Sequence, residues 1–425
     1  MKKVFFSLLF LALFSSFALA SYIFIPMDAA GQKDHLKAYG ITYWVINSGV
    51  EAYWMLNYRG GSFAFTHNTL FEKECKIRGI SYSVISNAEF ANIRRKISNP
   101  ESNQEVIKLE KAPKIAVYTP QLNARGETVQ PWDDAVTLVL TYAEIPYEMV
   151  YDREVLEDKL AEYDWLHLHH EDFTGQYGKF YASQGGQAWY RENQRRMEQL
   201  AQSLGYNKVS QLKLAVAKRI KEYVTGGGFM FAMCSATDTY DIALAVDGID
   251  ICADMFDGDP MESFSDKDLD FSNTLAFRNF QIVKNPLVYE HSTIDHKSRN
   301  VTPDTDYFTL FDFSAKWDPV PTMLTQNHTT TVKGFMGQST AFDKRFVKPE
   351  VLVLGENKAI NEARYIHGSH GYGTWTFYGG HDPEDYRHYV NDPETDLSLH
   401  PNSPGYRLIL NNVLFPAAQK KKRKT

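Results

Sequence analysis

Short apolar runs alternate with stretches of helical spacing along most of the chain, and this order constrains the fold more than any other feature of the sequence. Candidate strands cover residues 114–120, 147–151, 163–170, 226–234 and 373–378, with helical segments between the first four. Strands that alternate with helices are typical of parallel sheets covered by helices. The sequence therefore predicts an α/β fold with a doubly wound, mostly parallel sheet.

Shifts in composition divide the rest of the chain. Residues 21–112 form an N-terminal α/β segment, and its last part, 96–112, is polar enough to be a linker. Residues 113–417 form the main domain, with an insertion of β character at about 250–345. Residues 418–425 form a basic tail, and charge blocks of this kind are usually disordered.

Residues 1–20 have the order of a secretory signal peptide. Lys2 and Lys3 precede an apolar run, and the small residues at 18–20 form a cleavage site before Ser21. The apolar run is too short to cross a bilayer comfortably. We therefore expect export to the periplasm, the outer envelope or the medium, with no transmembrane segment in the mature chain.

The mature chain is acidic. Loss of Lys2 and Lys3 reduces the 45 basic residues to 43, against 52 acidic residues, for a net charge of −9. This balance argues against a nucleic-acid partner. A partner in the cell envelope is compatible with it.

One candidate strand, GGGFMFAM, ends at Cys234. Ala232 and Ala236 stand two residues before and after the thiol, where the tight strand-to-helix turn of a nucleophile elbow needs small side chains. The start of a helix also lowers the pKa of a thiol. The pattern predicts Cys234 as a nucleophile, with Ser235 and Asp238 at the binding site. A buried structural cysteine is the alternative.

The chain has three cysteines, which are too few for a disulfide scaffold. A thiol that attacks a substrate cannot also form a bridge. Any disulfide is therefore expected between Cys75 and Cys252, with Cys234 free.

A second candidate strand ends in Gly379 and Gly380 and continues into His381, Asp382 and, two residues later, Glu384. A histidine followed by acids suits a base that takes the thiol proton, together with the carboxylate that orients it. We interpret His381 as the base and Glu384 or Asp382 as the orienting acid. A polar turn that caps the strand is the alternative.

A third cluster contains His167, His169, His170 and Glu171. With a period of two residues, His167, His169 and Glu171 share one face of a strand, and such a set could bind a divalent metal. No H-E-x-x-H or similar spacing occurs, so the sequence predicts no metal site. We expect His169, His170 and Glu171 to line the mouth of the pocket.

Phosphate-binding motifs are absent from the sequence. Nothing matches G-x-x-x-x-G-K-[ST], and the glycines of GSHGYG at 368–373 have the wrong spacing for a dinucleotide fingerprint. The sequence predicts no cofactor.

The stretches GGGF…C and YGGHDPED…YRLILNNVLF, within residues 113–417, resemble the class I glutamine-amidotransferase-like superfamily, and in particular its trehalose-utilisation (ThuA-like) branch. The resemblance implies a flavodoxin-like core. The whole chain also resembles exported bacterial proteins labelled "asparagine synthetase B", through HLKAYGITYWVI, LNYRGGSF and RGISYSVIS.

The chain departs from both families at the motifs that carry their chemistry. Class I amidotransferases have G-x-C-x-G-x-Q and H-x-E, whereas this chain has AMCSATD around Cys234 and HDPE from His381. It has neither an N-terminal catalytic cysteine after cleavage nor an SGG-x-DS loop, so the synthetase label gives no activity.

Two functions are compatible with these patterns. The first is a cysteine-dependent hydrolase or amidase acting on a small-molecule or carbohydrate substrate. The second is a non-catalytic envelope module that binds a carbohydrate or a protein, in which Trp165, Tyr240, Trp375 and Tyr378 could supply stacking faces.

Overall fold

The computed structural model describes residues 21–120, 134–295, 301–324, 329–389 and 392–418. The predicted signal peptide and the tail beyond residue 418 lie outside these ranges. Within them, no helix combines the length and the apolar character needed to cross a membrane.

The N-terminal unit is an antiparallel sheet flanked by helices. Its elements in chain order are β1 Ser21–Ile25, α1 His35–Asn47, β2 Ala52–Leu56, β3 Ser62–Thr66, α2 Thr69–Ile77, β4 Ser83–Ser86, α3 Asn87–Ile97 and β5 Glu105–Leu109. The five strands lie in the order β4-β1-β3-β2-β5. Helix α1 begins where the Asp34 side chain accepts a hydrogen bond from the Lys37 amide.

Strand β5 corrects the interpretation of residues 96–112 as a linker. It pairs antiparallel with β2 over its full length, and Ile107 and Leu109 are buried on one face. Lys108 stands between them on the other, partly exposed face, and this half-buried pattern of period two is typical of an edge strand.

The main unit contains a larger mixed sheet. Its elements in chain order are β6 Ile115–Tyr118, α4 Ala135–Tyr142, β7 Glu148–Val150, α5 Asp152–Leu156, β8 Trp165–Leu168, α6 Tyr181–Gln184, α7 Ala188–Ser203, α8 Val209–Gly226, β9 Phe229–Met233, α9 Ser235–Ala245, α10 Asp254–Asp257, β10 Tyr307–Leu310, β11 Thr331–Lys333, β12 Phe342–Asp343, β13 Leu352–Asn357, β14 Glu362–His370, β15 Gly373–Tyr378 and α11 Pro404–Leu414. The strand order is β11-β10-β13-β14-β15-β9-β8-β6-β7, and β12 pairs with β14.

The predicted α/β class is confirmed, but the sheet is mixed rather than mostly parallel. Strands β7, β6, β8, β9 and β15 pair in parallel, whereas the pairs from β15 to β11 are antiparallel. The difference arises after residue 300, where hairpins replace helical crossovers. Strands β14 and β15, for example, are joined by only two residues.

The two units share one hydrophobic core. The same cluster of buried side chains contains Trp54 and Phe63 from the N-terminal unit and Tyr378 and Leu410 from the main unit. Helix α1 packs against α11. At this contact the buried Arg407 donates from Nε to the Tyr39 hydroxyl at 3.1 Å.

Candidate active site

Cys234 occupies a strained turn between β9 and α9. Its φ of 50° and ψ of −135° lie in a region that residues other than glycine rarely adopt. Its amide donates to the Gly380 carbonyl at 3.1 Å, and its carbonyl accepts from the Thr237 hydroxyl at 2.7 Å. Ala232 and Ala236 are fully buried beside it. The local geometry is that of the predicted elbow.

The Cys234 sulfur is enclosed by backbone amides. The Gln338 amide donates to Sγ at 3.3 Å, and only 5% of the residue is exposed. Burial raises the pKa of the Cys234 thiol to about 11, and the amides of Gln338, Ser235 and Ser339 oppose this rise without cancelling it. Burial therefore favours the protonated form of the thiol at neutral pH. All three cysteines are free, as predicted for Cys234.

The ends of two neighbouring strands bring histidines to the elbow. Strand β9 lies between β15, which leads to His381, and β8, which leads to His169 and His170. Gly380 makes the turn before His381 possible, because its φ of 107° and the Phe335 ring, 2.4 Å from the position of an added Cβ, exclude a side chain. The ends of β9 and β15, which lead to Cys234 and His381, thus lie side by side in the sheet.

Four imidazole rings form a cluster, and two of them, those of His169 and His170, lie beside the thiol. The His381 ring centroid lies 4.8 Å from that of His169, 4.9 Å from that of His170 and 4.7 Å from that of His388. The rings of His169 and His170 stack at 4.0 Å. One ligand atom from each of His169, His170 and Cys234 lies within 4.8 Å of the others. The cluster therefore supplies several candidate bases, and His388 is a member that sequence analysis missed.

Asp134 fixes the inner histidines. Its carboxylate lies 3.0 Å from His167 Nε2 and 3.3 Å from His169 Nδ1, and it also caps helix α4. Burial alone would raise the pKa of Asp134, but the charges of His167 and His169 outweigh burial and hold it well below the usual value. Burial lowers the pKa of His169, and the charge of Asp134 partly offsets this decrease. Nothing in the sequence around Asp134 marked it, because its partners lie on another strand.

The predicted acids separate into different environments. Glu384 Oε2 lies 3.1 Å from His400 Nδ1 and thus contacts a histidine other than His381. Asp382 is fully buried, and one of its oxygens accepts from the Glu384 amide at 2.8 Å. Asp382 directly follows His381 of the cluster, and its charge raises the pKa of His169.

The remaining predicted residues lie around the elbow. The Ser235 hydroxyl is 3.5 Å from the His169 carbonyl. Asp238 is buried, and its Oδ1 has no hydrogen-bond partner among the described residues. Burial raises the pKa of Asp238 to about 6. The charge of nearby His291 opposes this increase, and the charge of nearby Asp172 adds to it.

Glu171 belongs to a neighbouring buried charge cluster. The ammonium of Lys213 lies 2.9 Å from Glu171 and 3.0 Å from Asp152, and it also donates to the hydroxyls of Tyr118 and Tyr151. These groups adjoin a cavity of about 50 Å³ that is lined by His170, Glu171, Asp172, Trp189 and Lys213, among others. Glu171 therefore faces this cavity, with His170 on the side toward the elbow.

The four aromatic residues considered for ligand stacking are core residues. Trp165, Tyr240, Trp375 and Tyr378 are each at most 2% exposed. Aromatic side chains at strand positions usually pack internally, and these do.

Comparison with known proteins adds little. No family model matches the chain, and no curated protein matches it. Solved structures that align with part of it include the following two. Both are cytoplasmic proteins from Salmonella typhimurium, 10% and 12% identical in sequence, and each aligns over 72% of this chain and 100% of its own length with a TM-score of 0.36. Similarity at this level supports no inference about function.

Proposed function

We propose that this protein is an exported cysteine-dependent hydrolase or amidase with Cys234 as its nucleophile. The supporting observation is the combination at one residue of a strained elbow, a sulfur that accepts a backbone amide, and adjoining imidazoles. We further propose that the parallel half of the large sheet corresponds to a glutamine-amidotransferase-like, flavodoxin-like domain, since the elbow follows β9, which has a parallel neighbour on each side.

The proposed reaction begins with transfer of the Cys234 proton to a neutral imidazole. His381 is the first candidate for this base, and its ring contacts both histidines that approach the sulfur. His170 is the second candidate. We favour Asp382 over Glu384 as the acid of the site, because Glu384 is paired with His400. The thiolate would then attack a carbonyl carbon and expel an amine or alcohol, and water would release the acyl group.

The amides around the sulfur would stabilise the oxyanion of such an attack. Those of Ser235, Gln338 and Ser339 all lie close enough to Sγ to affect its pKa. Ser235 also begins helix α9, whose N-terminus favours negative charge.

Electrophilic amide and ester probes provide the test. We expect a thiol-directed probe to label the wild-type protein at Cys234, and Cys234→Ser to abolish both labelling and turnover of a responsive substrate. The loss of turnover should reach several orders of magnitude. Cys252→Ser is the matched control, because Cys252 is also buried and a hydroxyl can keep its contact with the Thr174 carbonyl. Turnover that survives in Cys234→Ser would refute the proposal.

The base is identified by comparing two variants. We expect His381→Gln to lower turnover at least a hundredfold while His170→Gln retains most of it. The reverse order would assign the base to His170.

A binding module is the second candidate function. It is favoured by the burial of Cys234 and by a thiol pKa of about 11, both of which suit a thiol that remains protonated. Such a module would bind a small molecule, a carbohydrate or an envelope protein without turnover. Ligand binding that is unchanged in Cys234→Ser, with no probe labelling of the wild type, would support it.

A further inference from the structure

The elbow and the strand beside it assemble a set of metal ligands that sequence spacing did not reveal. One ligand atom from each of Cys234, His169 and His170 lies within 4.8 Å of the other two. Because a thiolate and two imidazoles are ligands that Zn²⁺ prefers, we propose that these three residues bind a borderline-soft divalent cation of the Zn²⁺ class. This inference does not depend on the proposed hydrolase activity.

The second shell of this site is already present. Metal-bound histidines usually donate their other ring nitrogen to a carboxylate, which fixes the ring and raises its basicity. Asp134 Oδ1 lies 3.3 Å from His169 Nδ1, which leaves Nε2 as the metal-binding nitrogen. His167 holds the other Asp134 oxygen at 3.0 Å. His169 is 1% exposed, and neither of its ring nitrogens has a well-aligned hydrogen bond within the described part of the chain.

Only a small rearrangement separates this set from a tetrahedral site. Ligand atoms around Zn²⁺ lie roughly 3.3–3.8 Å from one another, given bond lengths of about 2.0–2.3 Å. The rings of His169 and His170 now stack with 13° between their planes, so their lone pairs lie in two nearly parallel planes and do not converge on one ion. One ring must turn before both can bind the same ion. His170 is the partly exposed member of the pair, so its ring is the one that we expect to turn.

Cation binding at this site exchanges the proton of the Cys234 thiol for a bond to the cation. The Cys234 thiol releases its proton to solvent, the sulfur forms a bond to the cation, and no redox change occurs. Three protein ligands leave one coordination position open. A sulfur bound in this way is a weaker nucleophile than a free thiolate, so cation binding should slow the alkylation of Cys234.

Titration of the purified mature chain with Co²⁺ tests the site, because a cobalt–thiolate bond produces a charge-transfer absorption in the near ultraviolet. We expect this band to saturate at one equivalent and to disappear when Zn²⁺ is added. Cys234→Ser should abolish it, and His170→Gln should weaken Co²⁺ binding at least tenfold. Asp134→Asn should weaken it about 10- to 100-fold. His67→Gln is the control, since His67 pairs with Glu72 in the N-terminal unit, and it should bind as the wild type does.

Absence of the band in folded wild-type protein, or its persistence in Cys234→Ser, would overturn the proposal. Circular dichroism establishes that each variant is folded, and His170→Gln, at a partly exposed position, remains informative if a substitution of buried His169 prevents folding. Probe labelling of the chelator-treated protein reports on the hydrolase proposal separately. Labelling without Co²⁺ binding refutes only the metal site, and Co²⁺ binding without labelling or turnover refutes only the hydrolase.

Discussion

The amide of Gln338 donates a hydrogen bond to the sulfur of Cys234 at 3.3 Å, across 104 residues of sequence. This contact brings the segment before β12 over the elbow and covers the thiol. It also provides a donor that favours the thiolate once the proton has left. Accessibility of the sulfur and its reactivity are therefore controlled by the same segment.

Alkylation of Cys234 should depend steeply on pH. Because burial raises the thiol pKa to about 11, the thiolate fraction at neutral pH is small and rises roughly tenfold per pH unit. We expect the rate of modification by iodoacetamide to follow that slope between about pH 7 and 9. Peptide mass spectrometry measures it, with Cys234→Ser to identify background at the other thiols. A rate that is level across this range would indicate a thiolate already formed at pH 7.

Asp238 should make the free energy of unfolding pH-dependent. Its folded pKa of about 6 exceeds the usual value of 3.8, so the folded chain binds the proton more tightly than the unfolded chain does. This contribution to stability is complete below about pH 4 and is lost as the pH rises through 6. Asp238→Asn should therefore gain stability relative to wild type by roughly 1 kcal/mol between about pH 5 and 8. Urea unfolding of the variant and the wild type at about pH 5 and about pH 8 gives this gain. A stability difference between the two proteins that is the same at both pH values would contradict a raised pKa of Asp238.

Lys213 should be required for stability. Lys213→Met leaves Glu171 and Asp152 buried without their cation, which we expect to lower the free energy of unfolding by about 3–5 kcal/mol. Lys218→Met, on the same helix, removes a partly exposed pair with Asp247 and should cost at most about 1 kcal/mol. Adding Asp152→Asn and Glu171→Gln to Lys213→Met should recover part of the loss. Equal costs for the two lysines would exclude a special role for the buried cluster.

Expression of the full chain in a bacterial host should yield a mature protein that begins at Ser21. Ser21 already belongs to β1 and pairs with Ser86 of β4. Cleavage before Ser21 would remove the leader and leave strand β1 intact. Intact-mass measurement of protein from the periplasm or the medium decides the point, and an uncleaved Met1 would contradict it.

Local patterns identified the parts of the site that lie within single strand ends. The small residues around Cys234 predicted the elbow, and Gly379 and Gly380 predicted the turn that carries His381. The α/β class followed from the alternation of strands and helices. These features depend on backbone geometry within a few residues, which the sequence specifies directly.

Contacts between distant segments could not be predicted in the same way. Gln338 contacts Cys234 only because the hairpins in the second half of the large sheet return that part of the chain to the elbow. Asp134 meets His169 only because β6, β8 and β9 lie side by side. Glu384 was assigned to His381 by proximity in sequence, but His400 returns to it from later in the chain. Strand β5 was missed because only two buried apolar residues distinguish it from a polar linker.

The buried contact of Arg407 with Tyr39 bears on whether the main unit can be separated from the N-terminal unit. The guanidinium of Arg407, on helix α11, points toward α1. It donates hydrogen bonds to the Tyr39 hydroxyl and to the Gly60 carbonyl, and both residues belong to the N-terminal unit. A fragment that starts at residue 113 would expose that cation together with one side of the shared core. We therefore expect the main unit, cut away from the first sheet, to lose stability and to associate through the apolar surface that the cut uncovers.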